Sequence, residues 1–236
     1  MQSGSKDAWA ITREALSEES AVEAFRSAAP PGTRLLAESD LQASLDRALQ
    51  SHAPGEDVHV FGYGSLMWNP AFHYAESFRA TVWGWSRKFC LSLNMARGSP
   101  ERPGVMLALD RGGACSGVVF RIPHHMARNE LMLLWRREML TGAYHARWLA
   151  VRSGSSRLHA LTFVANRQHR RYLAALDDDR IAQLISNGAG KLGTCQAYFD
   201  TLVSSLEQLG IRDSGMERLK LAIALQVPNG RNGRTG

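Results

Sequence analysis

A strand that stops too soon is the tightest constraint in this sequence. His59, Val60 and Phe61 are apolar or β-tolerant, but Gly62 and Gly64 bracket Tyr63 and remove side chains where a strand would pack them. Ser65, Leu66 and Met67 follow, and Pro70 lacks the N–H that a central strand would need. A glycine inside a strand pattern marks a bulge, or a place where another group approaches the backbone. Two readings follow. The run is a strand ending in a tight turn, or it is a cradle whose freed backbone N–H groups, beside a serine hydroxyl, hold a carboxylate or an oxyanion.

The pattern around this run sets the fold class. From Asp57 onward, strand-like segments recur at 58–63, 77–93, 104–110 and 117–122, with Arg111, Gly112, Gly113 and Ala114 as a hairpin turn between the last two. A helix is expected at 129–140. Two more strands, 143–152 and 157–164, are joined through Ser153, Gly154, Ser155 and Ser156. Helices close the chain at 181–186, 194–209 and 214–226, with Gly210 as a C-cap and Ser214 to Glu217 as a capping box. Strands do not alternate with long helices, so a doubly wound nucleotide fold is excluded, and neither G-x-G-x-x-G nor G-x-x-x-x-G-K-[ST] occurs. The expectation is an α+β domain at 56–227 whose sheet curls into a small closed or nearly closed β-barrel with flanking helices.

Residues 1–55 read as an N-terminal helical extension. Residues 18–27 form a short amphipathic stretch, Pro30, Pro31 and Gly32 break it, and Ser39 to Gln42 reads as a capping box opening a helix through Gln50. A partner-docking role is one hypothesis for this extension. Residues 228–236, rich in Gly, Asn and Arg, read as a flexible tail.

Composition limits the chemistry. A chain of 236 residues, 44% hydrophobic and 21% charged, is a globular domain, and no apolar run approaches the roughly 18 residues of a membrane span. The first residues lack the charged-then-apolar order of a secretory signal, so the expected compartment is the cytoplasm. Cys90, Cys115 and Cys195 are odd in number and widely spaced, which indicates neither a disulfide framework nor a zinc site. The net charge of +6 comes mainly from arginine, since only four of 28 basic residues are lysines. The densest cluster is Arg167, Arg170 and Arg171 beside Tyr172, and it reads as a solvated loop or helix start. No nucleic-acid module accompanies it, and a positive field favours a small anionic substrate.

The second informative segment is WRREMLTGAY over residues 135–144. On a helix, Glu138 falls three, four and seven residues after Trp135, Leu134 and Leu131, on their apolar face. Arg136 and Arg137 are expected to project elsewhere, and no basic residue stands three or four positions from Glu138. Such a carboxylate is either a desolvated proton shuttle, or a cap for a buried backbone group or partner of a distant arginine. Elsewhere, the adjacent His124 and His125 point apart, no metal-ligand spacing occurs, and Ser65 is not in a G-x-S-x-G elbow. His73, His145 and His159 read as ordinary structural residues. Tyr198, Leu202, Leu206 and Leu209 form a helical stripe assigned to the core, with the Tyr198 hydroxyl within reach of a site.

Taken together, VFGYGSLMWNP at 60–70 and WRREMLTGAY at 135–144 resemble the ChaC-type glutathione-specific γ-glutamylcyclotransferases. Further similarity lies in GWSRKF at 84–89, in 97–109 and in 188–211, and the resemblance covers about residues 57–226. It implies a cyclotransferase-like barrel that cleaves glutathione to 5-oxoproline and cysteinylglycine without metal or cofactor. By the match, Gly62, Tyr63, Gly64, Ser65, Leu66 and Met67 form the γ-glutamyl binding loop, Glu138 is the proton acceptor, and Arg87 and Tyr144 join the substrate site. The resemblance implies no nucleic-acid or membrane partner. Two alternatives stay open: a cyclotransferase acting on other γ-glutamyl amino acids or amines, and a non-enzymatic binding module using the basic patch.

Overall fold

Between residues 58 and 165, five strands hydrogen-bond in a ring. The computed structural model describes residues 12–17, 23, 26, 29, 30 and 32–226. Strand β1 (Val58–Gly62) pairs antiparallel with β3 (Gly104–Ile122), which pairs with β2 (Glu76–Leu93). Strand β2 pairs with β4 (Tyr144–Ser153), and β4 with β5 (Ser156–Ala165). The ring closes where β5 meets β1 in parallel, at Val60 and Leu161. The ring is closed, so the expected barrel is the observed one.

One expected turn is absent. Strand β3 runs straight through Arg111 to Ala114 as 19 residues. Gly112 and Gly113 have φ of 101° and 74°, and across a register shift they face Gly84 of β2, whose φ is 78°. Left-handed glycines on both strands form a bulge that bends the long β2–β3 ladder without ending it. Glycine spelled a local bend, and only pairing with β2 decides between a turn and a bulge. The β4–β5 turn is as expected, with Gly154 at φ 56°.

Helices cover the barrel on two sides. Helices α1 (Arg13–Ser17) and α2 (Glu38–Leu49) precede β1. Helix α3 (His124–Leu134) starts five residues before the expected 129, because the Asp57 carboxylate accepts the His124 N–H at 2.9 Å and supplies a remote cap. It continues as a π-helical segment, Trp135–Met139. Helices α4 (Asp178–Asn187), α5 (Cys195–Gln208) and α6 (Ser214–Gln226) close the described chain. Two caps differ from expectation. Helix α2 opens at Ala37, whose N–H donates to Asp40, and α6 is capped by Asp213, which accepts from Gly215 and Met216 at 3.1 and 3.2 Å.

On one side Phe199, Leu202 and Leu206 of α5 and Leu219 of α6 pack with Phe89, Leu107 and Val119. On the other, Leu131, Leu134 and Trp135 pack with Phe120, Leu161 and Phe163. Strand β5 is therefore buried continuously from Ala160 to Ala165, without the alternation of a half-exposed strand. Leu41 and Leu45 of α2 join this second core at 0% and 1% exposure. The helical segment before residue 56 thus shares the core of the barrel, and residue 55 marks no gap in packing. The stretch expected at 18–27 lies, apart from residues 23 and 26, outside the described residues, as does the tail at 228–236. Among the described residues no helix is long and apolar enough to cross a membrane.

If α2 is core, Leu41→Ala and Leu45→Ala each lower stability by about 2–5 kcal/mol, read from the denaturant midpoint. A midpoint equal to that of the parent protein would make α2 a superficial arm.

Candidate active site

Strand β1 ends at Gly62 for a steric reason. A Cβ there would stand 2.9 Å from the Leu66 Cβ and 3.2 Å from the Phe120 ring. The chain then bends through Tyr63 and Gly64 into a 3₁₀ turn, Ser65–Met67. The Met67 and Asn69 N–H groups donate back to the carbonyls of Gly64 and Ser65, both at 2.9 Å. Those of Gly64, Ser65 and Leu66 are the opening donors of the turn, which the turn itself does not use. Gly64 is tight as well: a Cβ would meet Leu107 Cδ2 and the Tyr198 hydroxyl, each at 3.1 Å.

Glu138 reaches the same place from the π-helical segment. A π turn is wider than an α turn, and such single turns recur at functional sites. Here it keeps Trp135 fully buried while Glu138, three residues on, faces a cavity. It also brings successive side chains nearer one direction, which corrects the sequence expectation for Arg137. Arg137 does not project elsewhere. Its Nε pairs with Glu138 Oε1 at 3.0 Å, one terminal nitrogen donates to Ser65 Oγ at 2.8 Å, and the other to the Asn69 carbonyl at 2.6 Å. A neighbour at the next position, which α-helical spacing dismisses, is thus the carboxylate's partner.

The cavity encloses about 400 Å³. Tyr63, Gly64, Ser65, Leu66, Glu138 and Tyr144 line it together. Gly62 and Met67 stand outside this lining: Gly62 gives room to Leu66, and Met67 packs against both cores. Arg87 is also outside it, contrary to its expected place in the substrate site. Its side chain is fully buried, with Nε on the Tyr63 carbonyl at 2.6 Å, one terminal nitrogen on the Ser116 carbonyl at 2.7 Å, and the other paired with Asp213. All three nitrogens are used by the protein, so Arg87 fixes the backbone of the turn from behind.

Tyr198, assigned to the core stripe with its hydroxyl within reach of a site, presents that hydroxyl beside Ser65. Arg97 and Arg171 also line the cavity, although Arg171 was read as part of a solvated cluster. The rest of that cluster is engaged: Arg167 pairs with Asp110 at 3.0 Å, and Arg170 donates to the Gly32 carbonyl at 3.0 Å. Ala15 and Leu16 of α1 complete the wall. That helix is held by Arg13 on buried Glu130 and by Arg136, which donates to the Leu16 carbonyl at 2.8 Å. No local spacing signals a wall built from so distant a segment.

Electrostatics follow from the burial. Desolvation raises the Glu138 carboxyl above its usual range, while Arg137 holds it down by charge and hydrogen bond. Burial lifts the Tyr63 and Tyr144 hydroxyls well above their ordinary range, and Tyr198 to about 12. These phenols keep their protons at neutral pH. Tyr63 spends its proton on the Phe163 carbonyl and Tyr144 on the Leu107 carbonyl, each at 2.7 Å. The arrangement offers one proton-accepting carboxylate, a turn of N–H donors, and polar walls without a nucleophile poised beside a base.

A barrel with this outline defines a class. It superposes on the crystal structure of a yeast γ-glutamylcyclotransferase specific to glutathione with a TM-score of 0.64, covering 72% of this chain and 96% of that one at 20% identity. At that identity the likeness is one of fold. Residues 58–226 match the model of the ChaC-like protein family, and the chain belongs to that family. An Escherichia coli relative, glutathione-specific γ-glutamylcyclotransferase, is 40% identical over 182 residues, 77% of this chain and 79% of its own. The mouse glutathione-specific γ-glutamylcyclotransferase 1 is 30% identical over 176 residues, 72% of this chain and 79% of its own.

Because Arg137 lowers the Glu138 pKa, Arg137→Met moves the titration of the Glu138 carboxyl to higher pH, read by carbon NMR of labelled glutamate. A titration unchanged or shifted to lower pH would show that Arg137 does not stabilise the carboxylate.

Proposed function

We propose that this protein is a γ-glutamylcyclotransferase that converts glutathione to 5-oxo-L-proline and L-cysteinylglycine, with Glu138 as the proton acceptor. One observation carries the reading: a desolvated carboxylate faces a glycine-bracketed turn across a cavity, and Arg137 bolts the two together. The names of the Escherichia coli and mouse relatives support glutathione as the substrate.

The chemistry needs little else. The α-amine of the substrate attacks its own γ-carbonyl, so the new C–N bond closes a five-membered ring and the C–N bond to cysteine breaks. No enzyme nucleophile and no water enter the balance. The enzyme must hold the γ-glutamyl arm in a folded conformer that is rare in solution, which converts a statistical cost into binding. Glu138 takes the proton of the attacking amine and returns it to the departing cysteinyl nitrogen. Its raised pKa brings it closer to both nitrogen partners than an ordinary carboxylate would be.

The N–H groups of Gly64 and Leu66 hold the α-carboxylate, or the γ-carbonyl oxygen as it gains charge, while that of Ser65 is hydrogen-bonded to the Tyr198 hydroxyl. Ser65 acts by position, with its hydroxyl accepting from Arg137. Tyr63 and Tyr144 shape the walls. Gly62, Met67 and Arg87 act one step back, by letting the turn form and fixing its backbone. A cytoplasmic location fits Cys90, Cys115 and Cys195, all free and buried.

The direct assay is release of 5-oxoproline from glutathione, with γ-glutamylalanine as comparison. Glu138→Gln should reduce release by about 10²–10⁴-fold or more while leaving the melting temperature within a few degrees. Turnover near that of the parent protein would remove Glu138 from the reaction. In Gly64→Val, the side chain intrudes on Leu107 and the Tyr198 hydroxyl, so KM rises; kinetics identical to the parent would separate the turn from substrate binding.

A further inference from the structure

Four arginines line the cavity, and they divide into two kinds. Arg136 pairs with Glu38 at 2.7 Å and Arg137 with Glu138 at 3.0 Å. Arg97 and Arg171 pair with no carboxylate among the described residues. Arg97 lies over the Tyr198 ring, 5.7 Å from its centroid, and donates only a long bond of 3.4 Å to the Thr194 carbonyl.

Arg171 is the more constrained of the two. Its Nε donates to the Ser92 carbonyl at 2.7 Å, and its own carbonyl accepts the Ser92 N–H at 2.7 Å. The loop after β5 is thereby locked to the end of β2, and the neighbouring Tyr172 bridges Leu91 in the same ladder. The groups that act on Arg171 by charge are Tyr144, which favours the cation, and Arg170, which opposes it; desolvation opposes it most. A desolvated guanidinium with no anion is costly to maintain, and its fork suits a carboxylate that arrives from outside.

Its place in the cavity says which carboxylate. Tyr144, Glu138 and Arg171 line the same cavity, and Tyr144 is under the electrostatic influence of both charged groups. The turn at Gly64 and Ser65 is joined to Glu138 through Arg137. With the γ-glutamyl carboxylate held by that turn, the second carboxylate of the substrate is left for the cavity's unpaired guanidinium of Arg171. We propose that Arg171 is the receptor for the terminal carboxylate of the departing dipeptide and selects γ-glutamyl peptides over γ-glutamyl amines or amides. This inference rests on the reaction assigned above.

The test compares glutathione with its glycine carboxamide, in the parent enzyme, Arg171→Gln and Arg171→Lys, with melting temperatures to confirm folding. The parent should favour glutathione by roughly 10- to 100-fold in kcat/KM, chiefly through KM. In Arg171→Gln the ratio between the substrates falls toward one, and Arg171→Lys, which keeps the charge but loses the fork, recovers part of it. An active parent enzyme that does not discriminate overturns the subsite alone. So does an Arg171→Gln variant that loses both substrates by the same factor, which would be the mark of a structural arginine or of a receptor for the γ-glutamyl carboxylate. A parent enzyme silent toward both compounds, yet active on another γ-glutamyl compound, overturns the glutathione assignment and the subsite with it.

Discussion

The Arg137 guanidinium joins two segments that the chain order keeps far apart, the π-helical segment and the turn at residues 65–69. It gives Nε to Glu138 and its terminal nitrogens to the Ser65 hydroxyl and the Asn69 carbonyl. Without it, a helix and a turn would share a wall but not a geometry. With it, the carboxylate and the N–H donors are held as one unit, which is what an intramolecular ring closure requires of its catalyst. The same guanidinium sets the electrostatic balance, since desolvation drives the Glu138 proton affinity up and Arg137 opposes it. A buried ion pair is a poor way to gain stability, and a good way to hold a register.

The fold serves this junction from two sides. The π turn lets helix α3 bury Trp135 and still present Glu138 to the cavity, which a regular α turn would not do with Arg137 alongside. Behind the turn, Arg87 ties the Tyr63 carbonyl to Ser116 of β3 and to Asp213, which also caps α6. The barrel, the residue before the last described helix and the turn after β1 thus meet at one buried cation. Barrel closure supplies rigidity, because the five strands form one hydrogen-bonded ring.

The contrast between paired and unpaired arginines organises the rest of the cavity. Arg136 and Arg137 pair with the protein's own carboxylates, whereas Arg97 and Arg171 pair with none among the described residues. Helix α1 finishes the wall from a segment outside the family match at residues 58–226, so part of the cavity belongs to this chain's own N-terminal region. What had the look of an appended extension is packed into the core through Leu41 and Leu45.

Much of this was legible in the sequence, for local reasons. Glycines at 62 and 64 ended β1 where a Cβ could not fit, and the apolar spacing put Glu138 on the inner face of its helix. The β4–β5 turn and the start of the helix near residue 194 were local too. What remained hidden depended on distant partners. The glycines at 112 and 113 looked like a turn until Gly84 faced them. Arg87 looked like a substrate ligand until its three nitrogens found Tyr63, Ser116 and Asp213. Arg137 was dismissed because helical spacing assumes an α turn, and the π turn is a product of packing. Sequence by itself determined which residue types carry the chemistry, since periodicity and steric exclusion act over a few positions. Only the tertiary structure decided which charges are spent on the protein and which are left for a ligand, because that depends on contacts between segments far apart in the chain.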